Sequence, residues 1–508
     1  AQEPVDNDAR QDADTKAVEQ IERLRQIVEK SEAGPVAGPG KLLHNGLRPV
    51  AGRDLLLWRR MPVTATETFG LPQDLGDGLT LRWATPDDAE ALAQFNLAMH
   101  SDDPDNPERF LYHWVHDLMN GRHPTTKASD FTVVTDANGQ IISSLNLISQ
   151  TWAYEGIPFP VGRPELVSTR PEYRRRGLVR RQMAVIHRLS AARGELVTAI
   201  TGIPWYYRQF DYDMALDLGG GRQLFWARPG NDETVAEEPY RVRPATAGDI
   251  PLLGELYAAH LGRSAVARLR GPADWQYEMF DMHPESAWRL KLKIITTPDG
   301  QPVAYANTTP RGTGIAVSEL GVRAGHSWRA VGRFLVRHLR EEANVLNATR
   351  AANEQLTNIS FNLGQAHPVY EALDPDLEKQ SRPYAWYVRV PNIPAFLRHI
   401  APALEARLAA SVMAGHTGTT RVNMYRQRFT LVWEAGRLRE VGDNYAHDRL
   451  EDGDAAFPDL SFLQVLFGYR SFEELVAHYA DCYTADATTR VLLRALFPKR
   501  PSHVIPME

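Results

Sequence analysis

Five arginines fall between Arg174 and Arg181, with Gly177 among them, in the stretch Glu165 to Met183, ELVSTRPEYRRRGLVRRQM. These residue types at this spacing suit the holding of an anion. Arg174, Arg175 and Arg176 supply charge-assisted donors, and Gly177 lets a ligand approach the backbone where a Cβ would stand in the way. The pattern predicts a strand ending at Thr169, a turn at Arg170-Pro171 and an amphipathic helix from about Leu178 to Arg193. Such a turn receives the first N–H groups of the helix, which have no partner within it.

Taken alone, an arginine-rich helix start is a solvated face. A second segment changes the weighing. Trp205 to Asp213, WYYRQFDYD, follows about thirty residues on, and the β-α-β patterning runs through both. Within it, the hydroxyl of Tyr207 is able to give up a proton while staying neutral at working pH. Trp205, Tyr206, Phe210 and Tyr212 read as packing residues.

The spacing Arg174-x-x-Gly177-x-Val179 resembles the acyl-CoA loop of the Gcn5-related N-acetyltransferases, (Gln/Arg)-x-x-Gly-x-(Gly/Ala), with Val179 where the family has a small residue. Tyr207 to Tyr212 is similar to that family's Tyr-x-x-Phe-Gly-Tyr segment, with Asp211 in place of Gly. The resemblance implies acetyl-CoA as co-substrate, its pyrophosphate on the backbone amides of Arg174, Arg175, Arg176, Gly177, Leu178 and Val179. It puts the thioester against the backbone of Val167 and Thr169 and makes Tyr207 the general acid. It also implies the carboxylate of Glu508 as base, with Glu165 as an alternative acting through water, although a solvent-facing glutamate is the commoner outcome for Glu165.

Two elements must position this chemistry, and the chain holds more than one copy of them. From Leu79, LTLRWATPDDAEALAQF reads as strand, capped turn and helix, and Phe131–Thr135 and Ile141–Trp152 as strands joined at Asp136-Ala137-Asn138-Gly139. Tyr240 to Tyr257, YRVRPATAGDIPLLGELY, repeats that opening at a period of about 160 residues. In this second copy Arg329-x-x-Gly332 keeps the loop's bare spacing, but the arginine cluster is gone and Phe334 replaces the small residue, which reads as a degenerate unit that packs rather than binds CoA. The remainder, opening at Trp386 with WYVRVPNIPAFLRHIAPALEARLA, resembles a sterol-carrier-like α+β domain. The order of parts is similar to the enhanced intracellular survival (Eis) family. The expected fold is therefore multidomain, α/β and α+β: residues 1–78 as helix, linker and irregular extension, 79–235 as the catalytic unit, 236–383 as the degenerate one and 384–508 as the sterol-carrier-like domain.

A chain of 508 residues is long enough for about three domains. With 43% hydrophobic and 24% charged residues and a net charge of −6 it reads as globular, and the arginine cluster is local rather than part of a nucleic-acid surface. Cys482 is the only cysteine, which excludes an intramolecular disulfide framework and reads as a buried apolar residue. No apolar run reaches the ~18 residues of a membrane span, and a CoA-dependent enzyme is expected in the cytoplasm. His100, His113, His116 and His123, with Asp102, Asp103, Asp105 and Glu108, fall where the acceptor wall is expected. Their spacing fits no ligand signature, so no metal is expected, and the acids suggest a cationic acceptor. The expected activity is acetyl transfer to a primary amine of a small molecule or a peptide lysine. The alternative is a non-catalytic protein binding CoA or a lipid through the sterol-carrier-like domain. The N-terminal extension leaves a homo-oligomer open.

Overall fold

The computed structural model describes residues 69–101, 103, 107–227, 237–286 and 288–505. The expected N-terminal helix, its linker and Glu508 lie outside these residues.

The first unit opens with β1 (Gln73–Gly76) and β2 (Leu79–Trp83), then α1 (Ala89–His100), α2 (Arg109–Met119), β3 (Phe131–Thr135), β4 (Ile141–Tyr154), β5 (Ile157–Thr169), α3 (Leu178–Ala192), β6 (Val197–Ile200) and β7 (Asp213–Leu218). Leu79 and Leu81 alternate into the core, as a half-buried strand requires. Arg82 then grips Asp88 through two bonds of 2.7 Å, while the Thr85 N–H donates to the same carboxylate at 2.7 Å. That fork, more than the helix start itself, holds the Asp88 carboxyl below the usual carboxylate range.

The second unit repeats the device. It contains β8 (Arg222–Phe225), β9 (Arg241–Pro244), α4 (Ile250–Arg263), β10 (Val266–Arg268), β11 (Leu292–Thr296), β12 (Pro302–Arg311), β13 (Gly314–Val322), α5 (Trp328–Asn347), β14 (Asn358–Phe361) and α6 (Pro368–Leu373). Arg243 holds Asp249 at 2.8 and 2.7 Å and the Thr246 N–H donates to it at 2.8 Å, the same triad at the same turn. The hydrogen bonds from Arg243 bring the Asp249 carboxyl down to about 2, against desolvation that opposes them.

The sheets exchange strands. The first has the order β1-β2-β3-β4-β5-β6-β15-β7, where β15 is Tyr384–Arg389, and β10 of the second unit adds to β4. The second sheet, β8-β14-β13-β12-β11-β9, takes β8 from the end of the first unit. The strand that opens the C-terminal segment thus lies inside the first sheet, and Trp386 is buried there against Trp152 with centroids 5.5 Å apart. Trp152, Phe159, Trp386 and Phe396 share one core with Phe462 and Phe467 of the C-terminal unit. At about 1.5–3 kcal/mol for each fully buried large side chain, that continuity makes β15 an integral strand of the first sheet.

The C-terminal unit is α+β. After α7 (Ile393–His399) and α8 (Ala401–Ala409) come β16 (Gly418–Asn423), β17 (Arg428–Glu434), β18 (Arg437–Gly442) and β19 (Ala455–Ala456). Then follow α9 (Phe462–Leu466), α10 (Phe472–His478), β20 (Tyr483–Thr484) and α11 (Ala487–Leu496). Cys482 is buried, and desolvation pushes its thiol up to about 12, which suits the packing role expected of it. No described helix is long and apolar enough to cross a membrane.

Candidate active site

A bulge in β5 organises the site. Ser144 pairs with Ser168 and Asn146 with Glu165, so Leu166 and Val167 together face the single residue Leu145, and Leu166 has φ 52°. A bulge of this kind re-aims backbone groups in mid-strand. Beyond it β5 loses its neighbour on the other side: β6 pairs with it only at Val161 and Gly162. From Arg163 to Thr169, one edge of β5 has no strand beside it among the described residues.

That edge runs into the arginine loop. After a short turn at Pro171–Tyr173, Arg175 (φ 63°) and Gly177 (φ 73°) take left-handed conformations, and α3 begins at Leu178 with no side-chain cap. A Cβ on Gly177 would meet nothing within 4 Å, so the glycine is required by its φ and leaves its backbone open to approach. The arginines divide by what they touch. Arg174 donates to Thr169 O at 3.2 Å and fastens the loop to the strand. Arg176 bonds Asp77 and lies over the Tyr173 ring, and Arg180 bonds Gln209 at 2.7 Å over Phe210. Arg175 is exposed and makes no ion pair among the described residues. Leu178 is buried and Val179 half-buried, so any contact they make to an anion in the loop comes from their backbone N–H groups.

The angle between strand and helix is fixed by a buried amide. Gln182 accepts from Ser143 Oγ at 2.6 Å and donates to Thr132 O at 3.1 Å, while Ser143 Oγ also reaches Ser168 O at 2.7 Å. One hydroxyl thus joins α3, β4 and β5, and Thr169 Oγ1 lies 2.8 Å from it.

Tyr207 sits in a 3-10 turn, Tyr206–Phe210, bounded by left-handed Trp205 and Asp211. It is 3% exposed and shares a cluster with Val167, Met183 and Phe210, against which Val179 packs. The structure therefore gathers the strand, the loop and the tyrosine that the sequence singled out. Of the aromatic neighbours, Phe210 and Tyr212 are buried as expected. Trp205 is not a packing residue: it is 72% exposed and carries the Arg208 guanidinium 4.3 Å from its ring centroid. Arg208 in turn holds buried Asp213 at 2.6 Å.

Glu165 departs from the solvent-facing outcome. It is 8% exposed and bonded to Arg163, whose guanidinium lies 4.9 Å from the Trp386 ring. Desolvation raises its carboxyl, and Arg163 only partly offsets this. The expected acceptor wall also divides. His100 Nε2 bonds Ser168 Oγ on β5, whereas His123 accepts from the N–H groups of Thr125 and Thr126 at 3.1 and 2.9 Å. His113 and His116 lie on the face of α2 turned from the sheet.

Sequence reasoning missed Tyr387, which comes in on β15 and packs 5.5 Å from Tyr207, centroid to centroid. Its strand alternation is visible in WYVRV, but nothing local names the partner sheet. The sequence, which through the resemblance brings Glu508 to the first unit, does not name the strand that the C-terminal tail follows. Ala265 N–H donates to Pro501 O at 2.9 Å, His503 N–H to Val266 O at 3.3 Å, and Tyr257 Oη to Ile505 O at 3.1 Å. The tail thus follows β10, which pairs with β4 from Tyr154 to Trp152 and whose continuation bonds Thr151 O through Leu269 N–H. That direction along β4 leads towards Asn146, opposite Glu165.

Residues 81–215 match the acetyltransferase (GNAT) domain family. These residues form an acetyltransferase (GNAT) domain, and the chain as a whole shares its fold with solved N-acetyltransferase structures, an Eis protein among them. A protein from Enterococcus faecalis V583 described as a probable N-acyltransferase superposes with TM-score 0.58 at 12% identity, over 84% of this chain and 97% of its own. A GCN5-related N-acetyltransferase from Kribbella flavida gives 0.56 at 16% identity, over 84% and 97%. Eis1 from Mycobacterium abscessus gives 0.53 at 15%, over 83% and 98%. No curated protein matches the chain in sequence. At these identities the neighbours show the fold alone.

Proposed function

We propose that this acetyltransferase moves an acetyl group from acetyl-CoA directly to a primary amine of a small molecule or of a peptide lysine. The observation that carries the reading is the open edge of β5 leading into the uncapped start of α3, with Tyr207 packed beside both. An extended pantetheine chain would lie along that edge as a further strand lies on a sheet, and the N–H groups of Arg174 to Val179 with the Arg175 guanidinium would hold the pyrophosphate. The bulge at Leu166 and Val167 favours a free N–H at the thioester oxygen, where charge develops as the amine attacks. The C–S bond then breaks, Tyr207 gives its proton to the departing sulfur, and the proton of the amine passes to a carboxylate.

Two carboxylates suit that last step. Glu165 is buried, its carboxyl is raised by desolvation, and it directly precedes the bulge on β5. Glu508 is supported by the heading of the tail through Ile505, since three residues are able to span up to about 10 Å. The C-terminal unit, which we read as sterol-carrier-like, has Phe457 and Phe462 packed on one another at 5.1 Å, and Phe429 on Phe462 at 5.3 Å. That filling favours a supporting part over lipid binding.

Thiol release from acetyl-CoA against a panel of polyamines and aminoglycosides tests the proposal. Turnover is expected with a cationic amine, and removal of Met507 and Glu508 should lower kcat/KM while leaving CoA affinity unchanged. If that deletion is silent and Glu165→Gln abolishes turnover, the base is Glu165. CoA binding without thiol release for any amine would return the chain to the non-catalytic reading.

A further inference from the structure

Behind α2, away from the acetyl-transfer site, a cavity of about 530 Å³ separates the first unit from the 280–289 segment of the second. At its edge His113, His283 and Glu285 bring one ligand-type atom each to within 4.8 Å of one another. We infer that these three side chains form a binding site for a divalent transition ion of the zinc class, fastening the second unit to α2.

The donor set is two imidazoles and a carboxylate, which suits zinc and its first-row neighbours and does not suit calcium or magnesium. His113 Nε2 and Glu285 Oε2 are 3.0 Å apart. Two ligands on a tetrahedral zinc, with bonds of about 2.0–2.1 Å, stand about 3.3 Å from each other, so this pair is already close to a coordinating distance. The supports are rigid. His113 lies within α2, and His283 belongs to a turn closed by Ser286 N–H on His283 O at 2.9 Å. The turn is tied to α2 by His283 N–H on both oxygens of Asp117, at 2.9 and 3.1 Å, and to the second unit by Arg289 on Met282 O at 2.7 Å.

One adjustment is needed. The rings of His113 and His283 lie face to face, 3.7 Å apart and 5° from parallel, so their lone pairs run side by side instead of converging. His283 is exposed at the cavity edge and has room to turn. Turning forfeits the stacking on His113 and the 3.2 Å bond from Glu285 N–H to its Nδ1, an exposed bond. Three protein ligands leave a tetrahedral ion one position for water. Spacing in the sequence hides the site because His113 and Glu285 are 172 residues apart and only the packing of the two units joins them.

The test is zinc chloride titrated calorimetrically into chelator-treated full-length protein, with melting temperature as a second readout. One zinc per chain is expected, together with a rise in Tm that calcium and magnesium do not produce. His283→Ala and Glu285→Gln should each weaken the heat signal by tenfold or more, roughly, and their exposed positions leave the fold and the zinc-free Tm unchanged. His113→Ala paired with His283→Ala should remove zinc binding entirely. Absence of zinc binding in the parent protein, or binding undiminished in the double variant, overturns the inference.

Discussion

The two acetyltransferase-like units end the corresponding strand in opposite ways. At the end of β5 the edge is open, Gly177 leaves clear space, and α3 starts without a cap. At the end of β13 every such opening is filled by the chain itself. Ser327 Oγ accepts from Ala330 N–H at 3.2 Å, so the start of α5 is capped by its own residue. His367 donates to Leu320 O at 3.1 Å, occupying the strand edge beyond its last pairing with β14 at Val317. Arg329 and Gly332, which keep the loop's spacing, lie inside α5 rather than before it. Arg329 bonds Ala372 O at 2.9 Å, and a Cβ on Gly332 would meet Leu373 at 3.3 Å. The same four-residue spacing is thus an open loop ahead of the helix in one unit and a packing motif within the helix in the other.

The largest expected effect separates the two tyrosines. Tyr207→Phe should lower kcat by about 10²- to 10⁴-fold with CoA affinity kept, the range for loss of a general acid. Tyr370→Phe in α6 should leave kcat alone. Its hydroxyl shares its one proton between Gly364 O at 2.9 Å and Phe361 O at 3.1 Å and accepts from Leu363 N–H at 3.2 Å, so its loss should appear in denaturant melts as about 1–3 kcal/mol. Equal kinetic losses from both would erase the contrast.

Next come the arginines. Arg175→Ala with Arg176→Ala should weaken CoA by about 1.5–3 kcal/mol for each charged hydrogen bond lost, and Arg329→Ala should leave CoA affinity unchanged. Arg175 should carry more of the loss, since Arg176 is shared with Asp77. Calorimetry that found two CoA sites per chain would break the comparison.

The filled slot should also be sensitive to acid. Burial, followed by the charge of Arg263, pushes His260 down to about 4 and His367 to about 3. His503 on the tail, buried beside both, lies well below its usual value. All three are neutral when folded and take up protons on unfolding near pH ~6.5. Their contribution to stability is therefore complete above about pH 6.5 and falls as the pH drops from there towards about 4. Tm measured across that window should decline, and less steeply in His503→Gln.

The smallest effect concerns the glycines. Gly332→Ala sets a gain in helix propensity of about 1 kcal/mol against the contact with Leu373, so its Tm should hardly move. Gly177→Ala at φ 73° should cost about 1 kcal/mol in stability and, unlike its counterpart, weaken CoA.

Much of this was written locally. The strand to Thr169, the helix from Leu178, and the repeat of Arg82, Thr85 and Asp88 as Arg243, Thr246 and Asp249 follow from period, cap and turn chemistry, which act over a few residues. The choice of Tyr207 rests instead on the resemblance of its segment to that of the Gcn5-related N-acetyltransferases. What the sequence could not determine were the partners across distance: β15 between β6 and β7, Tyr387 against Tyr207, Arg163 covering Glu165, and His113 beside Glu285. A strand's alternation states that it has a buried face but not which sheet it joins, because pairing is decided by the edges and cores that compete for it. The tertiary structure alone settled whether Arg-x-x-Gly opens a helix or lies within one, since that depends on where the preceding strand ends, and the strand ends where its neighbours leave it.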